Sequence, residues 1–230
     1  MPPFPPRVRA VFFDAVGTLL FPEPGALAVY ADRAREHGLH LSPAEVRARF
    51  VAAYHAEEIA DESNGWATGE ERERRRWRRI VTDTLTGVSN PESCFERLFD
   101  HFARPESWKV APDAEKVLSQ LASRGLVLGM GSNYDRRLWS VLDGFPALDI
   151  LRDRVLISGE IGVRKPGEGF FRAVCEAAGC SPAEVLFVGD DLGNDFHGAT
   201  AAGMPAVLLD PHGRHADIEP RVTSLSDLLR

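Results

Sequence analysis

The chain has 230 residues, enough for one large domain or two small ones, and a net charge of −7. Its composition, 44% hydrophobic and 27% charged, is that of a globular protein, and no apolar run approaches the ~20 residues of a membrane span. The acidic balance argues against nucleic acid as a partner, and the N-terminus lacks the apolar stretch of a secretory signal. We therefore expect a cytoplasmic protein without a membrane partner, whose N-terminal prolines form a short extended tail.

The first predicted element is a buried strand in "RVRAVFFD", residues 7–14. The apolar run stops at a single acid, Asp14, and Gly17 and Thr18 follow it. This pattern indicates a strand and then a tight loop that presents one carboxylate.

Residues 20–108 contain one helix signal after another, and we expect no strand among them. "SPAE" at 42–45 and "TGEE" at 68–71 are predicted capping boxes, and "NPES" at 90–93 is a third helix start. Apolar residues follow at helical spacing, among them Val46, Phe50 and Tyr54. We expect the aromatic residues of this region to form helix-packing core rather than a ligand cage.

An arginine-rich stretch, "EERERRRWRRI" at 70–80, is the strongest basic feature of the chain. It does not make the region basic, because residues 20–108 carry 12 arginines, no lysine and 16 acidic residues. Glu71 also precedes Arg75 by four residues, the favourable order on a helix. We expect a solvated helix face, with contact between one or two arginines and an anionic substrate as the alternative.

After Trp108 the pattern changes to short apolar strands that alternate with helices. The predicted strands are 126–131, 154–159, 184–191 and 205–210. This alternation predicts an α/β fold with a doubly wound parallel sheet, a Rossmann-like core. The core domain would comprise 7–19 and 109–230, and 20–108 would be an α-helical cap domain inserted into it.

Polar residues follow the predicted strands, where parallel sheets bind their ligands. They are the carboxylate of Asp14, the hydroxyl of Ser132 beside the amide of Asn133, and the ammonium of Lys165. The acidic pair Asp190 and Asp191 completes the set. We expect them to meet at one rim of the sheet, with the inserted helices acting as a lid over it.

Four segments together carry a family resemblance: "FDAVGTLL" at 13–20, "GSNYD" at 131–135, "RKPGEGFF" at 164–171 and "VGDDLGNDFHGA" at 188–199. They resemble the motifs of the haloacid dehalogenase superfamily of hydrolases across nearly the whole core. The helical insertion resembles the cap that this superfamily places between its first and second motifs. "SNYDRRLWSVL" and the arginine-bearing helix are similar to a poorly characterised subgroup related to a rhythmically expressed gene product.

The resemblance implies a role for each matching residue. Asp14 would be the nucleophile that forms an aspartyl ester, and Ser132 would hydrogen-bond the transferring group. Lys165 would neutralise charge on Asp14 and on the substrate, which Asn133 would also bind. The resemblance also implies a Mg²⁺ site whose ligands are Asp14, the backbone carbonyl of Val16 and Asp190. Asp195 would be a further ligand or a support for the others, and Asp191 would lie nearby as a support. The substrate would be a small anionic molecule, in the first instance a phosphate ester. Nothing in the sequence indicates the oligomeric state.

Val16 departs from the family pattern. Phosphatases of this superfamily carry a second acid there, which protonates the leaving oxygen and then activates water. Valine can do neither, and losing a general acid–base costs about 10²–10⁴ in rate. A cap residue, Asp191 or the substrate could supply the missing group.

Three interpretations therefore remain open. The first is a Mg²⁺-dependent phosphohydrolase with weakened acid–base catalysis. The second is a 2-haloacid dehalogenase, whose halide leaves without a proton, although Phe171 stands where that branch has tyrosine. The third is a non-catalytic binding protein that kept the fold.

Overall fold

The structure, a computed structural model, describes residues 5–230; part of the predicted N-terminal tail, residues 1–4, lies outside them. Eight strands are present in this part of the chain: β1 Ala10–Phe13, β2 Leu20–Pro22, β3 Trp108–Val110, β4 Val127–Ser132, β5 Val155–Ile157, β6 Val185–Gly189, β7 Ala206–Leu209 and β8 Arg221–Val222. Nine α-helices accompany them: α1 Ala26–Glu36, α2 Pro43–Ser63, α3 Glu70–Thr84, α4 Pro91–His101, α5 Ala114–Ser123, α6 Arg137–Leu142, α7 Ser158–Ile161, α8 Glu168–Ala178 and α9 Gly198–Ala201. Within residues 5–230, every helix is too short or too polar to cross a membrane.

The main sheet has six parallel strands in the order β5-β4-β1-β6-β7-β8. β1 lies in the middle, paired with β4 on one side and β6 on the other. The chain first builds the sheet outward from β1 through β4 and β5, and then returns to build the other half. This is the strand order of a doubly wound, Rossmann-like sheet, and the predicted fold class is confirmed.

Alternate residues of the central strands pack into two separate hydrophobic clusters, because successive side chains of a strand point to opposite faces. Val11 and Phe13 belong to the cluster under α5 and α6, whereas Phe12 belongs to the cluster under α8. A third cluster lies entirely among α1 to α4 and their connections. The helical region, residues 20–108, therefore has a hydrophobic core of its own.

The expectation that residues 20–108 contain no strand is wrong at both ends of the region. β2 and β3 pair antiparallel, with Leu20 opposite Val110 and Pro22 opposite Trp108. Each strand has only three residues, too few to show alternation, and its partner is far away in the sequence. The ribbon joins the two chain segments that lead into and out of the helical region.

Two local predictions need correction. "TGEE" is not a capping box, because Gly69 takes the N-cap position and the Thr68 hydroxyl instead donates to Glu73 Oε1 at 2.7 Å. The predicted strand 154–159 ends at Ile157, and the chain turns there into α7. The capping box of "SPAE" is confirmed, and in "NPES" the Asn90 side chain caps α4.

The predicted solvated arginine face holds for only part of α3. Arg75 is exposed and pairs with Glu71 at 2.7 Å, as expected. Arg76, in contrast, is buried, and its Nε donates to Asp61 Oδ2 at 2.9 Å. Its helix packs against α2, where Glu58 and Asp61 supply carboxylates, so this face of α3 contacts protein rather than water.

Candidate active site

Asp14 and Asp190 stand at the carboxyl ends of adjacent strands, where the order of the sheet reverses. The backbone N–H of Asp14 donates to the carbonyl of Val188 at 2.8 Å, which aligns the ends of β1 and β6. Ser132 is the last residue of the other neighbouring strand, β4. The predicted convergence of these residues at one rim is therefore present.

The loop after Asp14 is held by its own backbone. The Ala15 carbonyl accepts hydrogen bonds from Leu19 N–H at 2.9 Å and Leu20 N–H at 2.7 Å, and Gly17 N–H donates to the Leu20 carbonyl at 2.9 Å. The backbone carbonyl of Val16 takes no part in these three bonds.

Gly17 allows Asp190 to approach this loop. Its φ is +97°, a left-handed value that glycine adopts without strain. A Cβ at this position would lie 2.4 Å from Asp190 Oδ1, which is closer than any real contact. The carboxylate of Asp190 thus packs directly on the backbone of the loop after Asp14, and alanine at position 17 would displace it.

Lys165 is buried among oxygen atoms. Its Nζ donates to Asp14 Oδ1 at 2.6 Å, to Asp195 Oδ1 at 2.7 Å and to the Gly131 carbonyl at 3.0 Å. Burial by itself would lower the pKa of Lys165, but Asp14 and Asp195 raise it above its ordinary value. The ammonium stays charged and orients one oxygen of each carboxylate.

Asn133 holds the backbone of Lys165. Its Nδ2 donates to the Lys165 carbonyl at 2.9 Å, and its Oδ1 accepts from the Lys165 N–H at 2.8 Å. The sequence indicates Asn133 as a substrate-binding residue; this paired contact gives it a positioning function that the sequence does not indicate. Ser132, beside it, is buried and lines the same cavity as Asp14.

Three carboxylates converge at the rim, with one oxygen each from Asp14, Asp190 and Asp195 within 4.8 Å of one another. Burial is the largest cause of their altered acidity and raises the pKa of Asp14 to about 6 and those of Asp190 and Asp195 to about 7. Repulsion among the carboxylates adds to this effect, and Lys165 opposes it. Three carboxylates with raised pKa values, whose oxygens lie this close together, could hold a cation.

The donor set fits Mg²⁺, a hard cation that takes carboxylate and carbonyl oxygens together with water. Both oxygens of Asp195 already accept hydrogen bonds, from Lys165 Nζ and from the Asp191 N–H at 3.1 Å. Asp191 caps the next turn and accepts from the N–H groups of Gly193 and Asn194 at 2.9 and 2.8 Å. Asp191 thus organises the loop that carries Asp195.

A cavity of about 290 Å³ opens over the rim and extends into the helical region. Its wall includes the site residues from the strand ends and nine aromatic residues: Tyr30, Phe50, Tyr54, Trp77, Phe95, Phe99, Phe102, Trp108 and Tyr134. The expectation that the aromatic residues of the helical region form helix-packing core is confirmed, and the same rings also face a cavity. Tyr30 and Phe95 pack in the core of the helical region and line the cavity as well.

Sequence reasoning missed the buried ion pairs between α2, α3 and the loop before Lys165. Asp61 accepts hydrogen bonds from Arg72 at 2.5 Å, from Arg76 at 2.9 Å and from Arg164. The available signal was spacing: acids at 57 and 61 and arginines at 72 and 76 are each four apart, as on two facing helices. Arg164 itself carried no such signal, because its partner is 103 residues away.

Comparison with known proteins places this site in a family. The family model for haloacid dehalogenase-like hydrolases matches residues 8–203, most of the chain. The human haloacid dehalogenase-like hydrolase domain-containing protein 3 is 32% identical over 208 residues, covering 88% of this chain and 82% of that protein. A phosphoserine phosphatase from Thermus thermophilus is 28% identical over 244 residues, covering 92% of each.

The fold has close structural counterparts. The L-2-haloacid dehalogenase of Xanthobacter autotrophicus superposes with a TM-score of 0.74 and 23% identity, covering 96% of each chain. That likeness concerns the fold, whereas the family match and the human relative concern the sequence. Together with the aspartates and the lysine at the strand ends, they assign the chain to the haloacid dehalogenase-like hydrolases.

Proposed function

We propose that the chain is a Mg²⁺-dependent phosphohydrolase that acts on a small phosphorylated metabolite through an aspartyl-phosphate intermediate. The observation that carries this proposal is the contact of Lys165 with Asp14 and Asp195, beside Asp190, at adjacent strand ends. An ammonium among three carboxylates leaves an excess of negative charge, which a divalent cation would balance. The similarity to a phosphoserine phosphatase supports phosphoryl transfer as the chemistry.

Asp14, Asp190 and the Val16 carbonyl would hold Mg²⁺, with Asp195 as a ligand or as a support for its neighbours. The bound ion would supply positive charge that brings the phosphoryl group to the nucleophile and offsets charge in the transition state. Asp190 is suited to this function because it lies against the nucleophile loop at Gly17.

The protein's own groups would carry out the reaction in two steps. Asp14 uses one carboxylate oxygen to attack phosphorus; the P–O bond to the leaving group breaks, and its electron pair stays on the leaving oxygen. Lys165, which already holds Asp14 Oδ1, keeps the attacking oxygen oriented and offsets charge on the phosphoryl group. The Ser132 hydroxyl contributes a hydrogen bond to that group. Water then attacks phosphorus, and Asp14 is released as a carboxylate.

Val16 sets the limit of this chemistry. An apolar side chain in the loop can neither protonate the leaving oxygen nor take a proton from the attacking water. Both steps then depend on the substrate and on water, at a cost of about 10²–10⁴ in rate. The enzyme should therefore favour substrates whose leaving group needs no proton.

We also propose that residues 20–108 act as a cap domain over a core formed by 7–19 and 109–230. The separate hydrophobic cluster of the helices and the β2–β3 ribbon support this division. Contact between cap and core is not limited to that ribbon, since Thr68 N–H donates to the Gly162 carbonyl at 3.0 Å. Opening of the cap would have to break this contact and the ion pairs of Arg164.

The second candidate is a 2-haloacid dehalogenase, because a halide leaves without a proton and the reaction therefore needs no acid at the position of Val16. Asp190 and Asp195 count against it, since they would repel a haloacid carboxylate. The third, a non-catalytic binding protein, is consistent with the absence of an acid at position 16.

One assay panel separates the three candidates. Purified protein is given acetyl phosphate, an aryl phosphate and 2-chloropropionate, each with Mg²⁺ or with a chelator, and an Asp14→Asn variant is tested in parallel. Phosphate release that requires both Mg²⁺ and Asp14 is the expected result. Chloride release that survives chelation would identify a dehalogenase. Release of neither phosphate nor chloride from any substrate would support the non-catalytic protein.

A further inference from the structure

The cavity wall differs in character between its two halves. The parallel-sheet core supplies mainly charged and polar side chains, with the ring of Tyr134 beside them, whereas the helical region supplies mainly aromatic and aliphatic ones. A phosphoryl group bound at Asp14 would therefore direct the rest of its substrate toward an apolar wall. That wall is the part of the site in which the substrate's alcohol portion is recognised.

The aromatic wall is continuous along α2. Phe50 meets Tyr30 edge to face, with ring centroids 5.3 Å apart, and stacks with Tyr54 at 6.0 Å. Tyr54 continues to Trp77 at 6.5 Å. Rings packed in this way offer faces and edges to a further ring, and such contacts favour aromatic over aliphatic ligands.

Both arginines in the cavity wall are already paired with carboxylates. Arg76 donates to Asp61 at 2.9 Å and to Glu58 at 2.5 Å. Arg137 donates to the two oxygens of Asp135 at 2.7 Å each. With their charges balanced, neither arginine favours a second anionic group on the substrate. The portion of the substrate beyond the phosphoryl group should therefore be uncharged.

The volume of the cavity is enough for a portion of about one ring. A cavity of ~150 Å³ lined by apolar side chains is known to hold benzene. The 290 Å³ available here must also take the phosphoryl group and the water that attacks it. A single ring joined to a phosphoryl group is the ligand that such a space accommodates.

Val16 points to the same class of substrate for an independent reason. A phenol has a pKa of about 10, whereas water, which stands here for an ordinary alcohol, has a pKa of about 15.7. A phenolate can therefore leave without the general acid that position 16 lacks. From the cavity and Val16 together, we infer that the substrate is an aryl phosphate monoester with one uncharged aromatic ring.

This inference rests on the proposed function and specifies its leaving group. Asp14 would form a bond to phosphorus as the bond between phosphorus and the phenolic oxygen breaks, and the electron pair would leave with the phenolate. The phenolate takes its proton from solvent, and water hydrolyses the aspartyl phosphate to inorganic phosphate. No co-reactant other than water is needed.

The first test compares four substrates with Mg²⁺: phenyl phosphate, benzyl phosphate, phosphoserine and acetyl phosphate. We expect kcat/KM for phenyl phosphate to exceed that for phosphoserine by about 100-fold or more, through ring burial and the better leaving group. Benzyl phosphate keeps the ring but loses the phenolic oxygen, so it should bind with a similar KM and turn over at least about tenfold more slowly.

The second test changes the wall. Phe50→Ala should lower the ratio of kcat/KM for phenyl phosphate to that for acetyl phosphate by about tenfold, because the ring loses a wall contact. Val51→Ala is the matched control, since Val51 is the next residue of α2 and is 59% exposed; the ratio should not change. In the wild-type protein, phenylphosphonate should inhibit acetyl phosphate turnover about tenfold or more better than methylphosphonate.

The outcomes separate this inference from the proposed function. If acetyl phosphate is turned over with Mg²⁺ but phosphoserine is preferred to phenyl phosphate, the inference is overturned and the phosphohydrolase stands. Equal inhibition by the two phosphonates overturns it too, even if Phe50→Ala does not fold. If none of the four substrates is turned over with Mg²⁺, the proposed function fails and the inference fails with it.

Discussion

Asp61 of helix α2 forms a buried ion pair with Arg164, the residue before Lys165. The same carboxylate accepts from Arg76 of α3 at 2.9 Å, so one fully buried side chain joins two helices to the loop of the candidate lysine. Arg164 also contacts Glu58 at 2.9 Å, and its backbone N–H donates to the Trp66 carbonyl at 3.0 Å. The helical region and the position of Lys165 are thereby connected.

We predict that Asp61→Asn destabilises the protein strongly. Removal of this charge leaves three guanidinium groups with only Glu57 and Glu58 to balance them, at a cost of about 3–5 kcal/mol in the free energy of unfolding. Chemical denaturation measures this loss. Asp32→Asn, which removes an exposed pair with Arg35, is the control and should leave the midpoint unchanged. A midpoint for Asp61→Asn equal to that of the control would contradict the prediction.

Val16→Asp should raise the rate on ordinary phosphate monoesters by about tenfold or more, because it supplies the missing general acid–base. Steady-state phosphate release with Mg²⁺ measures the gain, and Asp14→Asn in the same background should abolish it. Val16→Asn is the matched control, since it has the shape of aspartate without its acidity. If Val16→Asn is as fast as Val16→Asp, polarity rather than proton transfer explains the effect.

Mg²⁺ should raise the melting temperature of the metal-free protein, and Asp190→Asn should remove this increase. The reason is that Asp190 is one of three carboxylates whose oxygens lie within 4.8 Å of one another. Asp191→Asn tests the neighbouring acid, which caps the next turn. It should lower the melting temperature and keep the Mg²⁺ response. Loss of the response in Asp191→Asn but not in Asp190→Asn would reverse our assignment of the two aspartates.

Gly17→Ala should impair Mg²⁺ binding as well as stability. A Cβ there would lie 2.4 Å from Asp190 Oδ1, and the φ of +97° is strained for alanine. Gly125→Ala is a matched control for the strain alone, because Gly125 has a φ of +78° and no atom lies within 4 Å of its Cβ position. Both variants should melt earlier, and only Gly17→Ala should bind Mg²⁺ more weakly by isothermal titration calorimetry. Equal Mg²⁺ affinities would show that Asp190 is not held by this contact.

The metal-free protein should lose stability as the pH rises from about 4 to about 7. The pKa of Asp14 is raised to about 6 and those of Asp190 and Asp195 to about 7, mainly by burial, against about 3.9 in an unfolded chain. The folded protein therefore favours the protonated form of these three groups. Their contribution to the free energy of unfolding is complete below pH 3.9, and it disappears as the groups ionise in the folded protein. Melting curves between pH 4 and 8 test this sign.

Bound Mg²⁺ should oppose this loss of stability as the pH rises, because Mg²⁺ competes with protons for the carboxylate oxygens of Asp14, Asp190 and Asp195. The rise in melting temperature that Mg²⁺ causes should be small near pH 5 and large near pH 8. A response that does not depend on pH would mean that the ion binds elsewhere. Asp190→Asn, which removes one titrating group, should flatten the pH dependence of the metal-free protein.

The sequence by itself determined the α/β core and the residues of the rim. Short apolar strands alternating with helices specify a parallel sheet, and parallel strands bring their carboxyl ends to one edge. Asp14, Ser132, Lys165 and Asp190 were identifiable because each lies close behind a strand signal. The sequence also predicted the starts of helices α2 and α4, because the side chains of Ser42 and Asn90 cap the helix that follows each of them.

Only the tertiary structure decided which side chains of the helices are buried and which residues they contact. The arginines of α3 divide into exposed and buried sets according to the position of α2, and a helical pattern does not contain that position. Asp61 and Arg164 meet across 103 residues of chain, and the β2–β3 ribbon likewise joins distant segments. The same holds for the aromatic wall, since apolar spacing predicts burial but cannot tell a packed core from a cavity lining.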